Sequence, residues 1–318
     1  MAISTRFLVI SDTHGDPLRH AKLTEAVDVV IHCGDLTEES KLDEFRATID
    51  LLNAIDAPLK LVIAGNHDWT LDLPVFKRKL AEHDPPLDED LVRREYGDFG
   101  EARSLLEDAP GIVFLDEGIH DFKLANGAML KVYASPYTPS NNDWGFNYPS
   151  GEERAWNITR DIDVTITHCP PKGVLDRSAG VRSAGVGSVG DSALFAAIAQ
   201  ARPSLHCFGH IHTGWGAKRV AWQVSDSLGG RRPTHMTAIN GDETVVLQSL
   251  AKLKAADDDK DGESTQTVRE RGYCRAEISA GMAGEKTLFV NAAIEGPDDK
   301  SQQVPWLIEI ELPRAPVQ

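Results

Sequence analysis

The stretch RFLVISDTHG, residues Arg6–Gly15, decides the fold of this chain. It places a short apolar run directly before a cluster of serine, aspartate, threonine and histidine. The same order of an apolar run followed by polar residues recurs at Val27–Asp35, Lys60–Asp68, Asp163–Pro171 and Ser204–His212. Short apolar runs that end in polar or glycine-containing turns are typical of buried strands. The pattern therefore predicts several strands with polar residues at their carboxyl ends.

Helix-like apolar spacing separates the first of these strands, over Pro17–Ala26 and Lys41–Ile55. A further helix is predicted over Asp191–Ala201, with Asp191 or Ser192 as its N-cap. Strands that alternate with helices favour an α/β fold with a largely parallel sheet and helices on both faces. In such sheets the functional groups gather beyond the carboxyl ends of the strands. The polar clusters of this chain lie where that rule places them.

The rest of the chain is less regular. The sequence predicts a strand over Gly111–Leu115, a hairpin over Phe122–Ala134, and closing strands over Lys286–Ala293 and Trp306–Leu312. The span from about residue 225 to 284 has the polar composition of a solvated loop. We expect one domain over residues 1–318, with that span as a peripheral loop insertion.

Composition limits the classes of function. The 318 residues are 41% hydrophobic and 26% charged, which is ordinary for a soluble globular protein. Asp and Glu number 49 against 33 for Lys and Arg, and a net charge of -16 repels nucleic acid and anionic membranes. The apolar stretch Phe7–Ile10 is too short for a signal-peptide core, and four cysteines in a chain of this length do not make a disulfide framework. We expect a cytoplasmic protein that neither coats nucleic acid nor binds membranes, and the sequence leaves its oligomeric state open.

The polar clusters share one chemistry, since they offer carboxylate, amide and imidazole donors and no thiolate. These residues are Asp12, His14, Asp35, Asn66, His67, Asp68, His168, His210 and His212. Such donors suit manganese, iron or zinc. A site with two ions needs one bridging carboxylate and several ligands for each ion, and this set leaves a histidine to spare for proton transfer. Asp-x-His or Gly-Asp alone is common, so it is their joint occurrence after predicted strands that indicates a metal centre.

The order of these blocks resembles the calcineurin-like metallophosphoesterase superfamily. The blocks closest to its metallophosphoesterase-domain-containing (MPPED) branch are Ser11–Gly15, His32–Thr37, Ala64–Asp68, Thr167–Pro171 and Phe208–Gly216. Animal members of that branch are similar to class III phosphodiesterases. Some members lack the first histidine of the Gly-His-x-His block, which this chain keeps. The resemblance implies a four-layer β-sandwich flanked by helices, with the metal site at the carboxyl ends of strands.

The resemblance also implies roles for the individual residues. Seven of them would bind two divalent metal ions: Asp12, His14 and His212 the first, Asn66, His168 and His210 the second, and Asp35 both. His67 would act on the phosphoryl group as general acid or electrostatic stabiliser, with Asp68 as the residue that orients it. A hydroxide between the ions would be the nucleophile, because metal binding lowers the pKa of water toward neutrality. Manganese is the expected metal, with iron or zinc as alternatives.

Two segments outside these blocks are candidates for contacts with a substrate. The aromatic loop from Ser135 to Tyr148 carries Tyr137, Trp144 and Phe146. It is either a surface loop held by its aromatic side chains or a platform that stacks against a base or aryl group. The glycine-rich stretch from Ala179 to Gly190 contains Arg182, and it is either a gating loop or a flexible connection.

We expect a hydrolase of small phosphodiesters, with cyclic nucleotides among the candidates. Enzymes that bind the dianion of a phosphomonoester usually add a fixed guanidinium. The protein-phosphatase branch of the superfamily has such an arginine after its Gly-Asp block, whereas this chain reads Leu36-Thr37-Glu38-Glu39 there. Two alternatives stay open: a phosphomonoesterase or protein phosphatase, and a metal-site scaffold that binds a protein partner.

Overall fold

The computed structural model describes residues 2–19, 25–178, 187–224, 231–258, 265–296 and 301–316. Its strands are β1 Ala2–Ile10, β2 Val29–His32, β3 Leu59–Val62, β4 Ile112–Phe114, β5 Gly118–Lys123, β6 Met129–Ser135, β7 Thr138–Pro139, β8 Asn147–Tyr148, β9 Val164–Thr167, β10 Leu205–Phe208, β11 Gly216–Trp222, β12 Ile239–Ser249, β13 Cys274–Ile278, β14 Lys286–Asn291 and β15 Trp306–Pro313. Its α-helices are α1 Leu42–Asn53, α2 Leu73–Glu82, α3 Glu89–Tyr96, α4 Glu101–Glu107, α5 Ser192–Ala201, α6 Leu250–Asp258 and α7 Thr265–Arg271.

Within the described residues, these strands form two large sheets. The first has the strand order β13-β15-β1-β2-β3-β4, and the second has the order β12-β11-β14-β10-β9-β6-β5. Neighbours in the first sheet are parallel except for the antiparallel pair β1 and β15. The second sheet is mixed, with a parallel centre of β6, β9, β10 and β14. The strands that precede the predicted metal ligands are therefore central and adjacent: β1, β2 and β3 in one sheet, and β9 and β10 in the other.

The side chains of β1 show why the sheets stack. Successive side chains of a strand point to opposite faces. Phe7 and Val9 enter the core between the two sheets, whereas Leu8 and Ile10 enter the core beneath the helices. Helices α1 and α4 cover the outer face of the first sheet, and α5 covers the outer face of the second. The result is four layers in the order helix, sheet, sheet, helix, which is the architecture that the family resemblance implied.

The apolar spacing alone gave a different expectation, which the structure corrects. It predicted one largely parallel sheet with helices on both faces, but each sheet has helices on its outer face only. An uninterrupted apolar strand such as Phe7–Ile10 needs cover on both faces, and its sequence is the same whether a helix or another sheet supplies that cover. The strand sequence thus shows that both faces are covered, but it does not show whether a helix or a second sheet covers them.

Most of the predicted elements are confirmed at their places. The expected helices at Lys41–Ile55 and Asp191–Ala201 are α1 and α5, and the Asp191 side chain caps α5 by accepting the N–H of Leu194. The expected hairpin is β5 with β6, and the closing strands are β14 and β15. The predicted helix at Pro17–Ala26 is not present where the structure describes it, because residues 17–19 and 25–26 are irregular and residues 20–24 lie outside the described residues.

The span from about residue 225 to 284 also requires correction. Most of its described part is not a loop, since β12 extends the edge of the second sheet and β13 extends the edge of the first. Leu253 of α6 and Val268 of α7 are buried in the core between the sheets. Edge strands with one solvated face carry many polar residues, and that composition was mistaken for a loop. Residues 225–230 and 259–264 lie outside the described part.

In the part of the chain that the structure describes, no helix combines the length and the apolar character that a membrane span requires.

Candidate metal centre

The predicted metal ligands lie directly after adjacent strands of both sheets. Asp12 follows β1, Asp35 follows β2 and Asn66 follows β3, all in the first sheet. The second sheet contributes His168 after β9, and His210 and His212 after β10. The two sets meet at the seam between the sheets, where the Nδ1 of His168 lies 2.9 Å from the carbonyl oxygen of Cys33. Strand ends of both sheets thus build one cluster.

Two close approaches bring the ends of β1 and β10 together. The backbone N–H of His210 donates to both carboxylate oxygens of Asp12, at 2.9 and 3.1 Å. A Cβ on Gly209 would overlap the Asp12 carboxylate and the Ser11 side chain. Only glycine therefore permits this crossing.

The first group of donors comprises Asp12, His14 and His212. Each offers a ligand atom within 4.8 Å of the others. Asp12 is fully buried, and its Oδ1 lies 3.4 Å from the Nε2 of His212. His14 and His212 line an open cleft of about 420 Å³. We call this the cleft-side group.

The second group comprises Asp35, His168 and His210, which meet the same distance criterion. The Nε2 of His168 lies 3.1 Å from Asp35 Oδ2 and 3.0 Å from Asn66 Oδ1. Asp35, Asn66 and His168 are 2%, 6% and 0% exposed, so these donors are enclosed by protein. With Asn66 included, we call this the buried group.

Asp35 stands between the two groups. Its Oδ2 faces His168, whereas its backbone carbonyl accepts the N–H groups of Thr13 at 3.1 Å and His14 at 3.2 Å. Its Oδ1 accepts the backbone N–H of His67 at 2.8 Å. This placement fits the bridging role that the family resemblance implied for Asp35.

Four of these residues have an uncommon backbone conformation. Positive φ angles occur at Asp12 (51°), His14 (50°), Asp35 (52°) and His210 (67°). Residues other than glycine pay a steric cost of about 1–2 kcal/mol in this region, and such strain concentrates at functional sites. The fold therefore holds these side chains in place against local backbone preference.

Charges within the cluster shift the protonation of its histidines. Burial lowers the pKa of His14, but the carboxylates of Glu38, Asp35 and Asp12 outweigh it and raise that pKa to about 10. Burial likewise lowers the pKa of His168, and Asp35 raises it to about 9. A divalent cation that binds here would displace these protons, because imidazole binds metals in its neutral form.

The donor set fits divalent cations. Two ligand atoms that lie about 2.1 Å from an ion at right angles are about 3.0 Å apart. The donor separations of 3.0, 3.1 and 3.4 Å in the two groups are close to that value. Carboxylate, amide and imidazole donors are also the types that manganese, iron and zinc accept. The donor types and these separations therefore fit divalent cations.

His67 lies at the cleft beside the cleft-side group. Its Nδ1 is 2.7 Å from the carbonyl oxygen of Glu38, and its ring centroid lies 4.8 Å from that of His14 in a T-shaped arrangement. The expectation that Asp68 orients His67 is corrected. Both carboxylate oxygens of Asp68 accept other hydrogen bonds, from Gly65 and Leu36 N–H and from the N–H and hydroxyl of Thr37. Asp68 thus holds together the loops after β2 and β3.

The predicted substrate contacts are placed differently from the expectation. Within the described residues, those that line the cleft include none of Tyr137, Trp144 and Phe146. Tyr137 and Phe146 contact each other edge to face at 5.9 Å, and Trp144 stacks on His67 at 4.3 Å. The aromatic loop therefore packs on the protein, with one ring against His67. Arg182 lies outside the described residues.

Three charged residues at the cleft were not predicted as site residues. Glu38 Oε2 lies 2.8 Å from His14 Nδ1, and Glu295 Oε2 lies 3.0 Å from His14 Nε2. Arg19 lines the same cleft, where its guanidinium pairs with Asp16 at 2.8 Å. Glu295 is brought to the site because its backbone N–H donates to the Asp12 carbonyl at 3.0 Å. No motif marks it in the sequence, so only the three-dimensional structure reveals it.

Known proteins resemble this chain over about two thirds of its length. A family model described as calcineurin-like phosphoesterase matches residues 5–214. Metallophosphoesterase domain-containing protein 1 of Homo sapiens is 33% identical over 217 residues, 67% of this chain and 62% of that protein. A probable rhamnogalacturonate lyase C of Emericella nidulans is 32% identical over 222 residues, 69% of this chain and 18% of that protein. The chain thus spans less than two thirds of the length of these relatives.

Among solved structures, the purple acid phosphatase PPD1 from yellow lupin seeds aligns with 100% of this chain and 47% of its own. Its TM-score is 0.40 and its sequence identity is 9%.

Donor groups at strand ends, set between two stacked sheets with outer helices, define the class of protein: a phosphoesterase fold with candidate metal-binding groups. The chain belongs to the calcineurin-like phosphoesterase family, whose model matches well over half of its residues. The resemblance found in the sequence is confirmed.

Proposed function

We propose that the protein hydrolyses small phosphodiesters, with cyclic nucleotides among the candidates, and that it uses two divalent metal ions. The observation that carries the proposal is the position of Asp35 between the buried group and the cleft-side group, whose His14 and His212 line an open cleft. Manganese is the metal we expect, with iron or zinc as alternatives. When bound, the ions would supply Lewis-acid stabilisation of the phosphoryl charge and a nucleophile derived from water.

The chain's own residues would perform the remaining tasks. Asp12, His14 and His212 would bind one ion and the buried group the other, with Asp35 shared. His67 would donate a proton from its Nε2 to the leaving oxygen, because its Nδ1 is already engaged with the Glu38 carbonyl. That proton transfer neutralises the alkoxide or aryloxide as the ester bond breaks.

The charges around the cleft support a diester as substrate. Glu38 and Glu295 place two carboxylates on opposite nitrogens of His14. A phosphomonoester carries two negative charges near neutral pH and a diester carries one, so this acidic border disfavours the monoester more. A small molecule also suits a cleft of about 420 Å³.

Phosphomonoester hydrolysis is the second candidate, and one observation favours it. Arg19 lines the cleft, and a guanidinium can pair with the dianion in a bidentate fork. Its existing contact with Asp16, which also lines the cleft, reduces the charge that it offers to a substrate.

Hydrolysis of two aryl substrates tests the proposal. We expect kcat/KM for bis(p-nitrophenyl) phosphate to exceed that for p-nitrophenyl phosphate at neutral pH with Mn²⁺, and activity to vanish on metal removal. Arg19→Gln provides the comparison, since it should affect the monoester more than the diester. A higher kcat/KM for the monoester, or strong activity on phosphopeptides, would overturn the diesterase proposal in favour of the second candidate.

A cytoplasmic location is part of the proposal. Cys33, Cys169 and Cys207 are free and buried thiols, a state that reducing compartments maintain.

A further inference from the structure

Trp144 makes its closest ring contact with His67. The two ring centroids are 4.3 Å apart and the planes are inclined by 25°, which is a stacked arrangement. The ring centroids of His14 and His67 are 4.8 Å apart, and the planes are at 89°. The imidazole is therefore held between an indole face and a second imidazole.

The backbone that follows Trp144 is held by two hydrogen bonds. Gly145 N–H donates to the Asn66 carbonyl at 3.0 Å, and Phe146 N–H donates to Asp72 Oδ2 at 2.8 Å. A Cβ on Gly145 would lie 2.7 Å from the Cα of Trp69, so the loop approaches the segment after β3 more closely than other residues allow.

Asp143 fixes the other side of Trp144. Its carboxylate contacts Arg78 at 2.5 Å and Lys79 at 2.7 Å, and both partners belong to α2. Individual exposed ion pairs contribute little, but here two cations from one helix converge on a single carboxylate. Trp144 is thus presented to His67 by a loop held at several points.

We propose that Trp144 is a positioning residue for His67. Its indole, together with the hydrogen bond at Nδ1, fixes the plane of the imidazole so that Nε2 meets the leaving oxygen of the substrate. This inference rests on the proposed function, in which His67 is the proton donor. It differs from the expectation that Trp144 stacks on a substrate base, because one face of its indole is already covered by His67.

A double-mutant cycle between Trp144 and His67 tests the proposal. Trp144→Leu should lower kcat by about 2- to 10-fold, the range that corresponds to the energy of an aromatic pair, with little change in KM. In the His67→Ala background the same substitution should have no further effect, because the ring that it positions is gone. Trp144→Phe should restore most of the activity, since it keeps an aromatic face.

The leaving group provides a second measurement. A misplaced proton donor matters most when the leaving oxygen is basic, so Trp144→Leu should cost more with an alkyl diester than with a p-nitrophenyl diester. Phe99→Ala is the matched control, because Phe99 is a 53% exposed aromatic that packs on Phe76. It should leave both substrates unaffected. An equal loss from Trp144→Leu with and without His67 would overturn the proposal and favour direct substrate contact.

A measurement without turnover separates this inference from the proposed function. The indole ring current should move the carbon-bound ring protons of His67 upfield in NMR spectra, and Trp144→Leu should reverse that shift. If the wild-type protein hydrolyses no diester, the proposed function fails. The ring-current shift still decides whether Trp144 holds the His67 ring, and its absence would refute the placement.

Discussion

The cleft-side and buried groups have the same kinds of donor but differ in access to solvent. In the buried group, the His168 and Asp35 side chains are 0% and 3% exposed. In the cleft-side group, the His14 and His212 side chains are 8% and 24% exposed. The Nδ1 of His168 is fixed by a backbone carbonyl, whereas His14 lies among carboxylates at the cleft. Under the proposed function, the buried group would retain its ion, whereas the cleft-side group would meet substrate and solvent.

Substitution of Asp35 should affect both groups equally, and it is the largest effect that we expect. Asp35→Asn should release both ions and reduce activity to the level without metal, because one residue serves both groups. Mutation of a residue that only hydrogen-bonds to a metal ligand already lowers metal affinity about 10–100-fold. Loss of a ligand shared by both ions should therefore lower it more. Metal content and anomalous diffraction at the metal edges measure the result.

The control for this variant is Asp121→Asn, which alters a side chain that is 60% exposed on β5. It should keep both ions. A single ion in the wild-type protein at saturating metal would show that the two groups do not form a shared centre.

Substitution of His67 should affect catalysis without affecting metal binding. His67→Ala should lower kcat by about 10²–10⁴-fold, the usual contribution of a positioned proton donor, with metal content nearly unchanged. His120→Ala, at a half-buried histidine of β5, is the matched control. Loss of metal together with activity would move His67 into the cleft-side group as a ligand.

The smallest expected effect is a difference in how readily the two groups release their metal ions. Titration of the wild-type protein with a chelator should remove the cleft-side ion first, at a concentration about tenfold lower than the second ion requires. His212→Asn should abolish the first step and leave the second, as followed by metal analysis. Simultaneous loss of both ions in the wild-type protein would mean that burial does not distinguish the groups.

The residues of the site could be predicted because strand ends carry a recognisable order of motifs. Asp12, Asp35 and Asn66 each follow a buried apolar strand, and parallel strands bring their carboxyl ends together. Sequence alone could not reveal Glu295, which follows β14 and reaches the site through a backbone hydrogen bond to Asp12. Such a contact depends on the tertiary path of the chain and leaves no local pattern.

Other parts of the prediction failed for separate physical reasons. The role of Asp68 was misjudged because sequence proximity to His67 does not determine where a carboxylate points. Its hydrogen bonds join two loops, and burial with the charge of Asp35 raises its pKa to about 6. The strands β12 and β13 were missed because edge strands keep a polar face. The positive φ angle of Asp12 could not be predicted either, because aspartate occurs in many backbone conformations and does not by itself indicate this one.

The donors of one cluster come from two separate sheets, and this has a thermodynamic consequence. An ion bound by Asp35 and His168 would join the first sheet to the second, so separation of the sheets would require its release. Ligand binding to the folded state alone stabilises that state by RT ln(1 + [L]/Kd), or about 2.7 kcal/mol at 100 times Kd. The catalytic cations would then also act as cross-links, and the melting temperature of the sandwich should rise with the concentration of free metal.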